Sequence, residues 1–196
     1  MNKKTYLLIL ILIAATTYLV YRALVPAPSI TFNKPPSNAV IPVYQATLSL
    51  APNPVVISPS QIAAPSSVAI VLDSGGQKAT AVQVELSYDP KVLTNVDVKA
   101  GPFFDNPVEL IKKIDTTNGR ISYAVGISPA GVEKQGTGTV ATITFTANTQ
   151  IAKVTQIQFQ PKTLVTAAGI QTSILKSSTG TSILFQTQPT SILPTK

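Results

Sequence analysis

General acid–base catalysis needs ionisable side chains within hydrogen-bonding reach of each other, and metal binding needs clustered imidazole, thiolate or carboxylate. The 196-residue sequence contains no histidine and no cysteine. The commonest general base, the commonest zinc ligand and the thiol nucleophile are therefore missing, along with any disulfide. Asp89, Asp97, Asp105, Glu109 and Asp115 are acidic, but no spacing pairs them as acid and base. Asp89 precedes Pro90, and Asp-Pro initiates turns through the aspartate side chain. "DTTNG", Asp115 to Gly119, lacks the alternating ligand series and the distant glutamate of a calcium loop, and reads as a hairpin turn. "GTGT", Gly136 to Thr139, leads into a strand, whereas a phosphate cradle needs a following helix N-terminus. "LPTK" at the end lacks the Thr-Gly pair and the apolar tail of a sortase signal. No enzyme, resident metal or cofactor is expected.

Binding is what remains. The net charge of +7 is concentrated away from the body of the chain. Residues 1–44 contribute +4 and Lys196 adds +1, while residues 45–188 hold ten basic and eight acidic residues. That near-neutral body carries no nucleic-acid footprint. Sugar-binding surfaces present aromatic platforms, yet tryptophan is absent. Tyr88, Tyr123, Phe145 and Phe159 fall on apolar faces by alternation. Phe103 and Phe104, in "AGPFFDNP", are the pair that an exposed position would turn into a sugar platform and a buried one into a core plug.

The elements that must position such residues begin with a membrane anchor. Residues 1–4 form a cytoplasmic end with Lys3 and Lys4, and residues 5–25 a transmembrane signal-anchor helix. Tyr6 to Tyr21 carries no charge, and those sixteen residues rise about 24 Å as a helix, approaching a bilayer core of ~30 Å when extended to Val25. Arg22 can snorkel to the head groups. A cleaved signal peptide is the rival reading, but the apolar run is long for one and no A-x-A site follows. Lys3 and Lys4 against the single Arg22 favour a cytoplasmic N-terminus and an extracytoplasmic C-terminal domain. Residues 26–43 form a Pro-rich linker, held extended by Pro26, Pro28, Pro35, Pro36 and Pro42.

Residues 44–188 read as strands throughout. Val82, Val84, Leu86 and Tyr88 alternate with Ala81, Gln83, Glu85 and Ser87. The same period recurs at Ala46–Leu50, Val68–Leu72, Ile121–Ile127, Ala141–Ala147 and Ile157–Phe159. One apolar and one polar face per strand marks antiparallel sheets packed face to face. Asn118-Gly119 predicts a hairpin between "ELIKKI" and "RISYAV". "TSIL" occurs at Thr172, Thr181 and Thr190, and its first two copies suggest a closing hairpin around Ser177 to Gly180. The third copy falls in a C-terminal tail, residues 189–196.

"AVQVELSYDPKVLTNVDVKAGPFF" resembles the third and fourth strands of a cohesin domain, the receptor module of cellulosome scaffolds. "GRISYAVG" and "GTGTVATITFTA" resemble later cohesin strands, and "VTQIQFQPKTLVTAAG" the penultimate element. The resemblance runs from about Ala46 to Phe185. It implies an all-β fold, a nine-stranded jelly-roll β-sandwich, here preceded by one N-terminal transmembrane helix and the linker. Some carbohydrate-binding modules share that fold. The resemblance also implies non-covalent protein binding on one flat sheet face containing the Tyr-Asp-Pro strand. In the family that face carries Asn and Asp two residues apart, which hydrogen-bond a dockerin helix. Those places fall to Ala81 and Gln83, so the expected partner-binding face comprises Gln83, Glu85 and Ser87, flanked by Ser122 and Ala124, with Thr142 and Thr144 near. The expected partner is dockerin-like or another envelope component, with a link to polysaccharide breakdown. A carbohydrate-binding module using Phe103 and Phe104, or a structural spacer, is the alternative.

Overall fold

Period-2 alternation places a side chain toward the core at every second residue, and a sheet forms wherever two such runs share one apolar face. A computed structural model describes residues 3, 6, 12–18, 21, 45–148 and 154–186, and shows this for each run named above. The chain divides into two units, residues 1–40 and residues 41–196.

The second unit contains twelve strands among its described residues. They are β1 (Ala46–Ala51), β2 (Val55–Ile57), β3 (Pro65–Asp73), β4 (Ala79–Ser87), β5 (Leu93–Ala100) and β6 (Val108–Asp115). β7 (Arg120–Gly126), β8 (Thr137–Ala147), β9 (Val154–Phe159), β10 (Leu164–Ala167), β11 (Leu175–Thr179) and β12 (Thr181–Phe185) follow. One layer has the order β11-β1-β3-β8-β5. The other runs β2-β12-β9-β4-β7-β6, with β10 also paired to β4. The result is a β-sandwich, as the alternation predicts.

The strand count exceeds the expected nine because three long runs are interrupted. Pro52 and Pro54 lie between β1 and β2, and Pro161 between β9 and β10; proline has no N–H for the ladder. The third break corrects an expectation. β11 and β12 do not form a hairpin around Ser177 to Gly180: β11 pairs in parallel with β1 in one layer, and β12 pairs with β9 and β2 in the other. Gly180 sits where the chain crosses, and a Cβ there would overlap the Ile157 carbonyl oxygen. The crossing needs that close approach, so the repeat places two copies in different sheets.

Leu48, Leu50, Val68, Ile70 and Leu72 from the first layer meet Val82, Val84, Leu86, Ile121 and Tyr123 from the second, all buried in one core. On one side the outermost strands β5 and β6 are joined by Lys112 Nζ to Asp97 Oδ1 at 2.8 Å. The Lys112 hydrogen bond holds the Asp97 carboxyl below its ordinary value. Beside it the buried Tyr123 hydroxyl donates to Glu109 Oε1 at 2.9 Å. Burial first, and then the Glu109 carboxylate, push the Tyr123 phenol well above its ordinary range.

β4 ends where the Asp-Pro pair predicts. Asp89 Oδ1 accepts the Lys91 N–H at 2.9 Å, and the Asp89 carbonyl accepts the N–H groups of Val92 and Leu93. The β6–β7 hairpin is present, with a four-residue connection, Thr116 to Gly119. Asp115 Oδ1 accepts the N–H groups of Thr117 and Asn118 at 3.0 and 2.9 Å. Gly119, at φ +63°, passes so close to the Tyr88 carbonyl oxygen that a Cβ would overlap it.

Of the expected membrane span, Tyr6, residues 12–18 and Tyr21 are helical, as is Lys3 ahead of it. The rest of that span, the linker and the tail from residue 189 lie outside the described residues. Among the described residues no helix is long and apolar enough to cross a membrane.

Candidate functional site

β4 lies at the middle of its layer, so its outward side chains sit on the broadest part of that sheet face. In an antiparallel pair, directly opposed residues point to the same side. Gln83 opposes Ala124, Glu85 opposes Ser122 and Ser87 opposes Arg120. On the next strand Ile111 opposes Ala124, Lys113 opposes Ser122 and Asp115 opposes Arg120. Three rows therefore run across the face. The central one, Lys113–Ser122–Glu85, is charged and polar. The next, Ile111–Ala124–Gln83, continues to Leu164 on β10 and is mostly apolar. The third, Asp115–Arg120–Ser87, continues to Gln158 on β9.

Glu85 is the most constrained of these side chains. Ser122 Oγ donates to Glu85 Oε2 at 2.6 Å, and Gln83 Nε2 donates to Oε1 at 3.3 Å. Its backbone is fixed as well. The Glu85 N–H donates to Thr163 Oγ1 at 3.1 Å, and its carbonyl accepts the Gln160 N–H at 2.7 Å. Gln160 Nε2 also donates to Ser87 Oγ at 2.7 Å. An ionised carboxylate has about four acceptor sites, so each oxygen of Glu85 keeps capacity for an incoming donor. The arrangement is a half-buried, oriented anion on a flat surface. Beside it β6 leaves Val108, Leu110 and Ile111 exposed, with a bulge between Glu109 and Ile111.

The structure brings together five of the seven expected partner-binding residues, Gln83, Glu85, Ser87, Ser122 and Ala124, on this face. Ala124 is buried between Gln83 and Ile111, so it offers little surface of its own. Thr142 and Thr144 do not belong there. They lie on β8, which pairs with β3 and β5, and face outward from the opposite layer. Alternation tells inward from outward but does not tell which sheet a strand joins. Phe103 and Phe104 are 9% and 2% exposed, packed edge to face with centroids 4.9 Å apart, so they plug the core and form no sugar platform. Lys113, Ile111, Gln160 and Thr163 belong to the face and were not anticipated. The β6–β7 hairpin signal, carried through to its register, would have placed the first two opposite Ser122 and Ala124. Among the described residues no three His, Cys, Asp or Glu side chains gather to hold a metal ion.

Comparison with known proteins bears on what such a face does. A search of the curated proteins finds no match. Among solved structures, the chain is similar to the seventh ScaB type I cohesin of Pseudobacteroides cellulosolvens, with 16% identity and TM-score 0.59, covering 75% of this chain and 96% of that one. It is similar to the third cohesin ScaC of Acetivibrio cellulolyticus, solved in complex with the ScaB dockerin, with 16% identity and TM-score 0.59. That match covers 72% of this chain and 99% of the other. A non-cellulosomal cohesin from the archaeon Archaeoglobus fulgidus is also similar, with 16% identity, TM-score 0.55 and coverage of 74% and 94%. At such identity these structures show a shared fold. The sequence carries the assignment further: residues 66–185 match the family described as Cohesin domain, from the start of β3 to the end of β12. The chain thus belongs to the cohesin domain family, whose members are non-enzymatic protein–protein interaction modules.

Proposed function

We propose that this chain is a membrane-anchored, extracytoplasmic cohesin that binds a dockerin-like protein partner non-covalently through the β4–β7–β6 face. The observation that carries the reading is Glu85, oriented by Gln83 and Ser122 beside the Ile111–Ala124 row. A partner helix presenting a hydrogen-bond donor to Glu85 and apolar side chains to Ile111 satisfies both rows at once. A charged acceptor left unpaired on binding costs affinity, so the anion selects partners that carry the donor. Polysaccharide breakdown enters only through an enzyme that such a partner carries.

The test is capture by the full chain of partners from the producing cells, followed by titration of the captured protein against variants. Glu85→Ala is expected to weaken binding by roughly 10- to 100-fold, the range of a charge-assisted hydrogen bond. If Glu85→Ala and Ile111→Ala both bind as the parent does, while Thr142→Ala with Thr144→Ala abolishes binding, the face is wrongly chosen.

Anchoring through residues 5–25 is supported by the uncharged run and by the described part of that helix. Leu12, Ile13 and Tyr18 expose their side chains there, and the Thr16 and Thr17 hydroxyls donate to main-chain carbonyls of Leu12 and Ile13. Hydroxyls satisfied within the helix suit an apolar surround. The chain is expected to stay with membranes through alkaline carbonate washing and to leave only in detergent. Release of the intact chain by carbonate would refute the anchor.

A further inference from the structure

The layer that carries the β4–β7–β6 face changes character at its other end, over β2, β12 and β9. Leu184 on β12 stands between Val56 on β2 and Val154 on β9, in direct register with both. Their chain neighbours Val55, Ile57, Ile183 and Thr155 are buried, so alternation turns all three outward. Val56 is 45% exposed and Val154 51%. The result is a row of three aliphatic side chains on the outer surface. β2 is also the edge of its layer among the described strands. The Ile57 carbonyl accepts the Gln186 N–H at 2.9 Å and therefore points toward β12. Successive main-chain groups of a strand point to alternate sides, so the Val56 N–H and C=O face the open edge. An aliphatic row ending at unpaired main-chain groups is a template for one more strand.

The chain itself supplies a segment that fits. β12 ends at Phe185, one residue beyond Leu184, and Gln186 is bonded to Ile57 beside the row. Residues 187–196 follow and lie outside the described residues. They include the third TSIL, Thr190 to Leu193, bracketed by Pro189 and Pro194. Proline has no N–H for a ladder, so the pair delimits a strand of four residues. The second TSIL is the start of β12, where Ile183 faces the core and Leu184 the surface, so this tetrapeptide already serves as a strand in the same sheet. We propose that residues 190–193 fold back onto β2 as a further edge strand and cover the Val56–Leu184–Val154 row. Passing from β12 to the far side of β2 spans two strand spacings, about 10 Å, and the four steps from Gln186 to Thr190 reach about 13 Å. No charge lies between Gln186 and Pro194 to oppose contact with an aliphatic row. A second copy of the chain suits the edge less well. Val56 offers one free pair of main-chain groups, and a short tether concentrates the chain's own segment to the millimolar range.

The chain has no cysteine, so an introduced pair reports one contact alone. Val56→Cys is combined with Ile192→Cys and, separately, with Leu193→Cys in the full chain, held in detergent under mild oxidation. Directly opposed residues of paired strands lie within disulfide reach. One of the two pairs is expected to close within a single chain at least about tenfold faster than Val132→Cys with the same tail cysteine, Val132 being exposed in a loop elsewhere. Hydrogen exchange gives an independent measure. Ile192→Ser with Leu193→Ser should speed exchange of the Val56 amide by about tenfold or more, and leave that of Val84 in the core unchanged. The proposal is overturned if neither pair outpaces the Val132 control. Disulfides that join two chains would also overturn it, by placing a second copy on the edge. So would a Val56 amide that exchanges equally fast in the parent and the serine variant. Neither measurement involves Glu85 or a bound partner, so its outcome is independent of the proposed function.

Discussion

Two residues around the end of β4 show how single groups are held and what their removal should do. Tyr88 is buried, and its hydroxyl has no hydrogen-bond partner among the described residues. A buried hydroxyl without a partner costs its lost hydration, so Tyr88→Phe is expected to be neutral or to stabilise by up to about 1 kcal/mol. Urea denaturation measures this, and a loss of stability would mean that the hydroxyl is satisfied in solution. Gly119 has the opposite character. Its positive φ and its closeness to the Tyr88 carbonyl both exclude a side chain, and Gly119→Ala should destabilise by roughly 1–3 kcal/mol in the same measurement. Asp89 and Pro90, the most conspicuous pair in the sequence, turn out to close a strand. The residue at the centre of the proposed binding face lies four positions earlier, at Glu85, and it is found only by asking which way each side chain points.

Elements are legible where alternation and turn chemistry settle them, and illegible where the decision is between two layers. The inward set of β4 and the β6–β7 hairpin follow from residues alone, because a strand with one apolar face has only one way to bury it. Thr142 and Thr144 were misplaced for a physical reason: β8 shows the same polar outward face in either layer, and only its pairing with β3 and β5 decides. β11 and β12 share a four-residue motif yet lie in different sheets, since the Gly180 crossing depends on a close backbone approach that no local pattern reports. At this scale the Lys112–Asp97 pair is the link to test. Both side chains are more than a third exposed, so Lys112→Met should cost under about 1 kcal/mol at neutral pH. The sign with pH is fixed by Asp97, whose folded pKa is lowered by Lys112. Its contribution is present above the unfolded carboxylate value of about 3.9 and is lost as pH falls through the folded value. The gap between parent and Lys112→Met should therefore close in acid. A gap that persists at pH 2 would point to lost packing instead of lost charge.

Over the whole molecule, the absence of histidine and cysteine removes the side chains that ordinarily titrate between about pH 5 and 9. Stability should be nearly flat across that range and fall at alkaline pH. Tyr123 and Tyr88 both have folded pKa values raised by burial, so neither ionisation weighs on the fold below about pH 10, and the folded state loses stability as pH rises beyond it. Thermal melts from pH 6 to 12 are expected to show a plateau and then a decline. Tyr123→Phe should shift that decline to higher pH, and an unchanged decline would assign it to other groups. The order of the strands has a mechanical consequence too. β1 and β2, the first strands of the fold, lie parallel to β11 and β12, its last strands. Tension applied between the start of β1 and the end of β12 would slide each pair lengthwise, loading all of its hydrogen bonds at once. A hairpin pulled from its open end would part them one by one. A domain loaded between its first and last strands is thus braced along the line of pull.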